Sequence, residues 1–442
     1  MFPNPQDALP LPPRPRLGQY KKLAKDLVKV CKGGNPDGLR DWATEWIRNL
    51  VRLNELDITP GLPLEIRRWV EEVREFATRK LLSEKRKCVL ADAQFVIARS
   101  HGFMSWPALI KYIEQLARKK SSVEQFEKAV DAVVAGDLQT LGRLLEESPE
   151  LARERSAREH RATLLHYTAA NGVEGFRQKT PKNIVEIADL LLKSGAEVDA
   201  EADVYGGGCS TLGLAATSVH PEVAGVQEAL LQLLLDHGAL IEKPGLAGNK
   251  HSAVISCLAN GRARAAEFLA NRGAKLDLES AAGIGRMDIV RTFFDSDGGL
   301  KPPKTKRQLQ KGFLWACMYG RENTAAFLLN HGAELMDPVD SGATALHWAA
   351  GGGHLGVLKL LLERGAPLEE TNRWGGTVLQ HAGWGFEHGS SESDFAPVFQ
   401  VLLGAGARIR GSWLAWIDKV KGRSVEEKER VASVFRRYGA TA

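Results

Sequence analysis

Eleven histidines and five cysteines are the side chains of this 442-residue sequence with the widest chemical repertoire, and their spacing limits what they can do. No two histidines form an H-E-x-x-H pair, and Cys31, Cys88, Cys209, Cys257 and Cys317 include no C-x-x-C. Neither a metal site nor any other cofactor is therefore expected. Scattered and odd in number, the cysteines read as reduced thiols. Cys209 with His220 comes nearest to a nucleophile and its base, but a reactive thiol also needs a lowered pKa, which spacing does not supply. The run Gly206-Gly207-Gly208 lacks the spacing and the lysine of a phosphate loop. With no reaction motif, the balance leans against an enzyme.

Residues suited to binding fall into two sets. Tyr167, Trp315, Trp348 and His381 occupy one recurring column, with Tyr319, Trp374 and Trp384 close by. Large rings of this kind anchor partners, although tryptophans at helical spacing equally serve as core. The second set is polar. Arg177 and Lys179 are expected to form a cationic recess with Asn171, Tyr205 and His220, able to hold an acidic peptide or a small anion.

Repeated helix pairs must position both sets. Each copy has a small residue on a first helix, a glycine that ends it, a leucine-rich second helix, and Gly-Ala at its close. Eight units align on Ala132/Gly136, Thr168/Gly172, Ala215/Val219, Cys257/Gly261, Ala281/Gly285, Ala316/Gly320, Ala349/Gly353 and Ala382/Phe386. Regular units place the two glycines twelve residues apart, as at 261 and 273, 320 and 332, or 353 and 365. The second, third and eighth units exceed that by eleven, seven and eight residues, with insertions near 173–183, 219–226 and 387–396. Loops carried by a rigid repeat array are favoured places for binding residues, yet extra loop length is also cheap in stability.

The segments Thr163-Leu164-Leu165-His166, Thr344-Ala345-Leu346-His347 and Leu360-Leu361-Leu362-Glu363-Arg364-Gly365-Ala366 resemble ankyrin repeats. The resemblance covers roughly 124–410. It implies an all-α fold, an ankyrin-type helical solenoid, with first helices lining a concave side. It also implies local hydrogen bonds from the Thr and His of T-x-L-H; Gln380 replaces that histidine in the last unit. With the segment Ser100-His101-Gly102-Phe103-Met104-Ser105-Trp106 in its helical head, the chain is also similar to bacterial ankyrin-repeat proteins with an N-terminal helical module and no settled activity.

The expected organisation is a proline-rich, disordered segment over 1–18, a basic helical domain over 19–122, the repeats over 123–411, and a helical cap over 412–442. The net charge of +5 is uneven: residues 1–120 carry 23 Lys/Arg against 14 Asp/Glu, and the remainder 36 against 40. No apolar run approaches a membrane span, and no secretory leader is evident, so a cytoplasmic protein is expected. The leading functional expectation is a scaffold that binds another protein or peptide through the concave groove and the inserted loops. A small-molecule or catalytic recess beside repeats two and three is the alternative. Nucleic-acid binding by the basic helical domain, whose residues 91–109 form two short helices around a glycine turn, is a further one.

Overall fold

The computed structural model describes residues 4–33, 37–54, 62–82, 88–242, 252–389 and 393–440, without the side chains of Leu62 and Pro63. The chain is all-α: among the described residues the strands are one two-residue pair, Glu201–Ala202 with Cys209–Ser210, which flanks the glycine run. Two compact units are formed, residues 1–250 and 251–442.

The local rules of the repeat are visible in both units. At Gly353, φ is +76°, and the next N–H, on His354, returns to the Ala349 carbonyl at 2.9 Å. At Gly365, φ is +82°, and the Ala366 N–H reaches the Leu361 carbonyl at 3.0 Å. Both glycine columns therefore close helices with the left-handed turn that a side chain resists. The T-x-L-H segments act as helix starts. Thr344 donates its backbone N–H to His347 Nδ1 at 3.3 Å, which leaves His347 Nε2 to donate to the Gly376 carbonyl of the following repeat at 3.2 Å. His166 does the same, with Thr163 at 3.1 Å and the Cys209 carbonyl at 3.3 Å. Gln380 keeps only the first half, accepting from the Thr377 N–H at 2.9 Å.

In the first unit, the helices Leu17–Lys32, Gly38–Leu53, Leu62–Leu81, Leu90–Ser100 and Trp106–Leu116 enclose a core that includes Leu27, Trp46, Ile47, Val73, Ile97 and Leu109. Two expectations are corrected here. The proline-rich segment is ordered over residues 4–18, because its apolar residues have somewhere to go. Leu9 is fully buried, its N–H donates to the Ser100 carbonyl at 2.8 Å, and its own carbonyl meets His101 Nδ1 at 3.0 Å. Cys31 and Cys88 are not separate reduced thiols: they are paired in a disulfide with Cα atoms 6.3 Å apart.

The insertion of the second repeat is the brace of this unit. Gly175 lies so close to the proline-rich segment that a Cβ on it would meet the Gln6 carbonyl oxygen at 2.7 Å. Beside it, Glu174 is fully buried and meets Arg158 Nε at 2.5 Å and Arg177 Nη1 at 3.5 Å. Arg177 also binds Glu127 at 2.7 Å and Asp131 at 2.9 Å, and Arg158 donates to the His101 carbonyl at 2.6 Å. Burial alone raises the Glu174 carboxyl, but Arg158, His160 and Arg177 outweigh it and hold it well below the ordinary range. An ion cluster so placed costs desolvation, and removing one member leaves the others unpaired and buried.

In the second unit, helix pairs follow one another from Ala253–Ala259 with Ala263–Asn271 to Val378–His388 with Ala396–Gly404. Helices Trp413–Lys419 and Val425–Arg437 then close the row. The closing helices cover the last pair with Trp413, Ile417, Val431, Val434 and Phe435. First helices approach one another through small residues, and the limit is reached at Gly385. A Cβ there would lie 2.0 Å from the carbonyl oxygen of Gly351 on the preceding first helix.

Two outcomes are expected. Helix propensity alone favours alanine over glycine by about 1 kcal/mol. Gly385→Ala should nonetheless destabilise the second unit by about 3 kcal/mol, because the obstacle is backbone. Gly356→Ala, where only the mobile Glu322 carboxylate stands in the way, should be near neutral. Thermal unfolding of both variants checks this pair. The second outcome concerns acid. Burial lowers His101 from 6.5 to about 3 and His166 from 6.5 to about 4, so both are neutral in the fold and charge first in the unfolded chain. Their contribution is complete above pH 6.5 and is lost as pH falls toward the folded values, at about 1.4 kcal/mol per pH unit for each. Glu174, with a lowered pKa, adds its own loss only below about pH 4.5. A first unit equally stable at pH 6.5 and pH 4.5 would contradict the buried neutral histidines.

Candidate functional site

The polar set does not assemble into the expected cationic recess. Arg177 is buried, and its guanidinium is held by the carboxylates of Glu127, Asp131 and Glu174. Tyr167 is fully buried between Phe126 and His160, with ring centroids 6.5 and 6.1 Å away. Its place on a helix of only four residues, Leu164–Tyr167, turns it into the core rather than outward. Both assignments are therefore corrected: an aromatic in the binding column and a cation in the insertion are interior residues here.

The remaining members of that set are spread over separate contacts. Asn171 donates to the Leu214 carbonyl and the Thr217 hydroxyl, each at 3.1 Å, and accepts from the Tyr205 hydroxyl at 2.7 Å. Tyr205 remains 54% exposed, and Lys179 is exposed. His220 sits half-buried on the short helix Val219–Val223, its pKa lowered by burial. The Cys209 thiol is pushed up by burial and by Glu201, and it donates to the Val204 carbonyl at 3.2 Å. A thiol so placed is a poor nucleophile at neutral pH.

The aromatic set in the second unit falls into one pair, one chain of rings and a separate tryptophan. Trp315, on the helix Lys306–Met318, stacks with Tyr319 at its end, 6.2 Å between ring centroids. Tyr319 donates its hydroxyl to the Leu258 carbonyl, and burial pushes its pKa up to about 12. Trp348, on Ala345–Gly351, meets His381 of the next first helix edge to face at 5.4 Å. His381 in turn lies 5.8 Å from Trp384, which stacks on His388 at 5.2 Å. Burial, with the nearby His347 acting in the same direction, takes His381 down to about 4, so this link in the chain of rings is uncharged at neutral pH. Trp348 is half-buried, with its indole N–H donated to Ser341 Oγ at 3.3 Å. Trp374 stands 69% exposed on a turn, with the Arg373 guanidinium 5.0 Å from its ring. Trp315, Tyr319, Trp348 and Trp384 are thus neither wholly core nor free, His381 is buried, and Trp374 is the most exposed.

Sequence reasoning assigned Trp413 and Trp416 to the closing helices alone and passed over Glu387. The structure brings all three to Trp384, around a recess of about 340 Å³. The i, i+3 spacing of Trp384 with Glu387, and of Trp413 with Trp416, places each pair on one helix face and was the available clue. The eighth insertion, near 387–396, lies partly outside the described residues, as does His251. Its first residues extend the helix Val378–His388 rather than forming a loop. Among the described residues, no three His, Cys, Asp or Glu side chains gather as a metal site.

The family model for ankyrin repeats (3 copies) matches residues 278–372. Among solved structures, the chain is similar to the ankyrin repeat domain of Bcl-3, described as a unique member of the IkappaB protein family. That likeness has 22% identity and a TM-score of 0.29, covering 58% of this chain and 93% of that one. It is also similar to the human ASB11 ankyrin repeat domain, with 21% identity and a TM-score of 0.34, covering 64% of this chain and 99% of that one. Scores of this size carry no argument about function, and the assignment rests on the matched repeats. Among the described residues, no helix is long and apolar enough to cross a membrane. Repeats of this kind generally bind other proteins, and the chain carries ankyrin repeats in its second unit, over residues 278–372.

Proposed function

We propose that the protein is an interaction scaffold whose partner docks on the first-helix face of the second unit. The observation that carries this reading is the set of partly open rings Trp315, Tyr319, Trp348 and Trp384, the last two linked through the buried His381, together with the exposed Trp374. Rigid aromatic side chains with one open edge are the residues that contribute most to protein interfaces. Their immobilisation in the free protein also reduces what ordering costs on binding.

The inserted loops have a smaller part in this reading. Lys179 and Tyr205 remain available, but Arg177, expected beside Lys179 as a cation of the recess, is neutralised internally. An acidic partner accordingly loses its main support. No observation favours the small-molecule alternative, since Tyr167, Asn171 and Arg177 are each taken up by contacts within the fold.

Capture of partners from native lysate, with the binding of each quantified, tests the docking face. Trp348→Ala and Trp374→Ala should each weaken binding by about 5- to 30-fold, the range of an interface anchor. The double variant Lys179→Ala/Tyr205→Ala should bind as the parent does. Unchanged binding by both tryptophan variants, at matched thermal stability, would sink the assignment.

A further inference from the structure

The recess beside Trp384 has a chemistry of its own. Trp384 and Glu387 lie one helical turn apart on Val378–His388, and Trp413 and Trp416 stand likewise on Trp413–Lys419. Gly383 lets these helices meet, since a Cβ there would lie 3.0 Å from the Trp413 ring and 3.4 Å from that of Trp416. Trp413 and Trp416 meet edge to face at 5.1 Å. The Trp416 indole N–H donates to Glu387 Oε2 at 3.3 Å, which holds the carboxylate at the rim.

Charge decides what fits. Among the described residues, no basic side chain is within ion-pair distance of Glu387. Arg410, which also lines the recess, is bound by Glu369 at 3.1 Å. The indole rings of Trp384, Trp413 and Trp416 line the recess, Trp384 and Trp416 being the more open of the three, and beside them stands one carboxylate with no ion-pair partner among the described residues. An anion is repelled by both features, and a neutral apolar group gains nothing from Glu387. A cation gains from both. Trp384, 56% exposed, then has a reason to be a tryptophan at a position where solvent contact is costly.

We propose that this recess binds a cationic side-chain head, ammonium or guanidinium, from a basic segment of the protein partner. The proposal rests on reading this row of helices as the docking face, and it replaces the acidic partner expected from the insertions with a basic one.

Tetramethylammonium is a probe that needs no partner. The full chain, labelled with nitrogen-15 in its tryptophan indoles, is titrated at constant ionic strength with tetramethylammonium chloride and, separately, with neopentyl alcohol as the neutral isostere. Saturable shifts of the Trp384 and Trp416 signals are expected with the cation only. Glu387→Gln should weaken the cation by about 3- to 10-fold without changing thermal stability. Trp384→Ala should abolish the saturable shift of Trp416. No saturable shift in the parent chain, or an equal response to the neutral isostere, overturns the proposal. Because no partner is involved, that failure is separate from failure of the docking face. Saturable cation binding alongside unchanged partner capture by Trp348→Ala would support the recess and remove the wider face.

Discussion

At Gly385 one additional carbon would stand 2.0 Å from the carbonyl oxygen of Gly351, and much of the second unit follows from that closeness. Where these first helices approach backbone to backbone, the facing residues are Gly351 and Gly385. Large side chains are displaced to the margin of the row. Trp348 and Trp384 are there for that reason: the sequence carries big rings next to positions that cannot hold them, and the rings settle against their neighbours with one edge open. Close packing thus creates an aromatic margin as a by-product, and that margin can be used for recognition.

The first unit solves a different problem. Its second repeat carries extra residues, and extra residues in a loop are cheap but do not pack themselves. Here the insertion is folded back, with Glu174 delivered to Arg158 and Arg177, and with Gly175 against the proline-rich segment. The Arg158–Glu174 contact thereby ties the insertion to the His101 turn of the helical head, since Arg158 also holds the His101 carbonyl. Such an ion cluster gives geometric specificity more than net stability, because its members must first be taken out of water.

The recess at Trp384 joins the two themes. Gly383 is one more small residue at a helix contact, and the helix packed on it is the closing one. A cap protects the apolar end of a repeat array. In this chain the cap also contributes Trp413 and Trp416 to a surface feature, and Glu387 stands beside them. Capping and binding share the same indoles.

What the sequence by itself determined is everything set within a few residues along the chain. The helix-closing glycines, the T-x-L-H starts and the Gly-Ala ends each act through hydrogen bonds spanning three to five positions, so their recurrence carried the ankyrin-repeat architecture. The aromatic column was legible for the same reason in Trp315, Trp348 and His381. What only the tertiary structure decided is the fate of groups whose partners are remote. Arg177 meets Asp131 from 46 positions away, Leu9 is buried against Ser100, and Trp416 reaches Glu387 from 29 positions away. Whether an arginine is a free cation or a buried brace, and whether a tryptophan caps or binds, depends on what packing brings beside it. Coulomb attraction and desolvation act through space, and the spacing of residues along the chain does not record them.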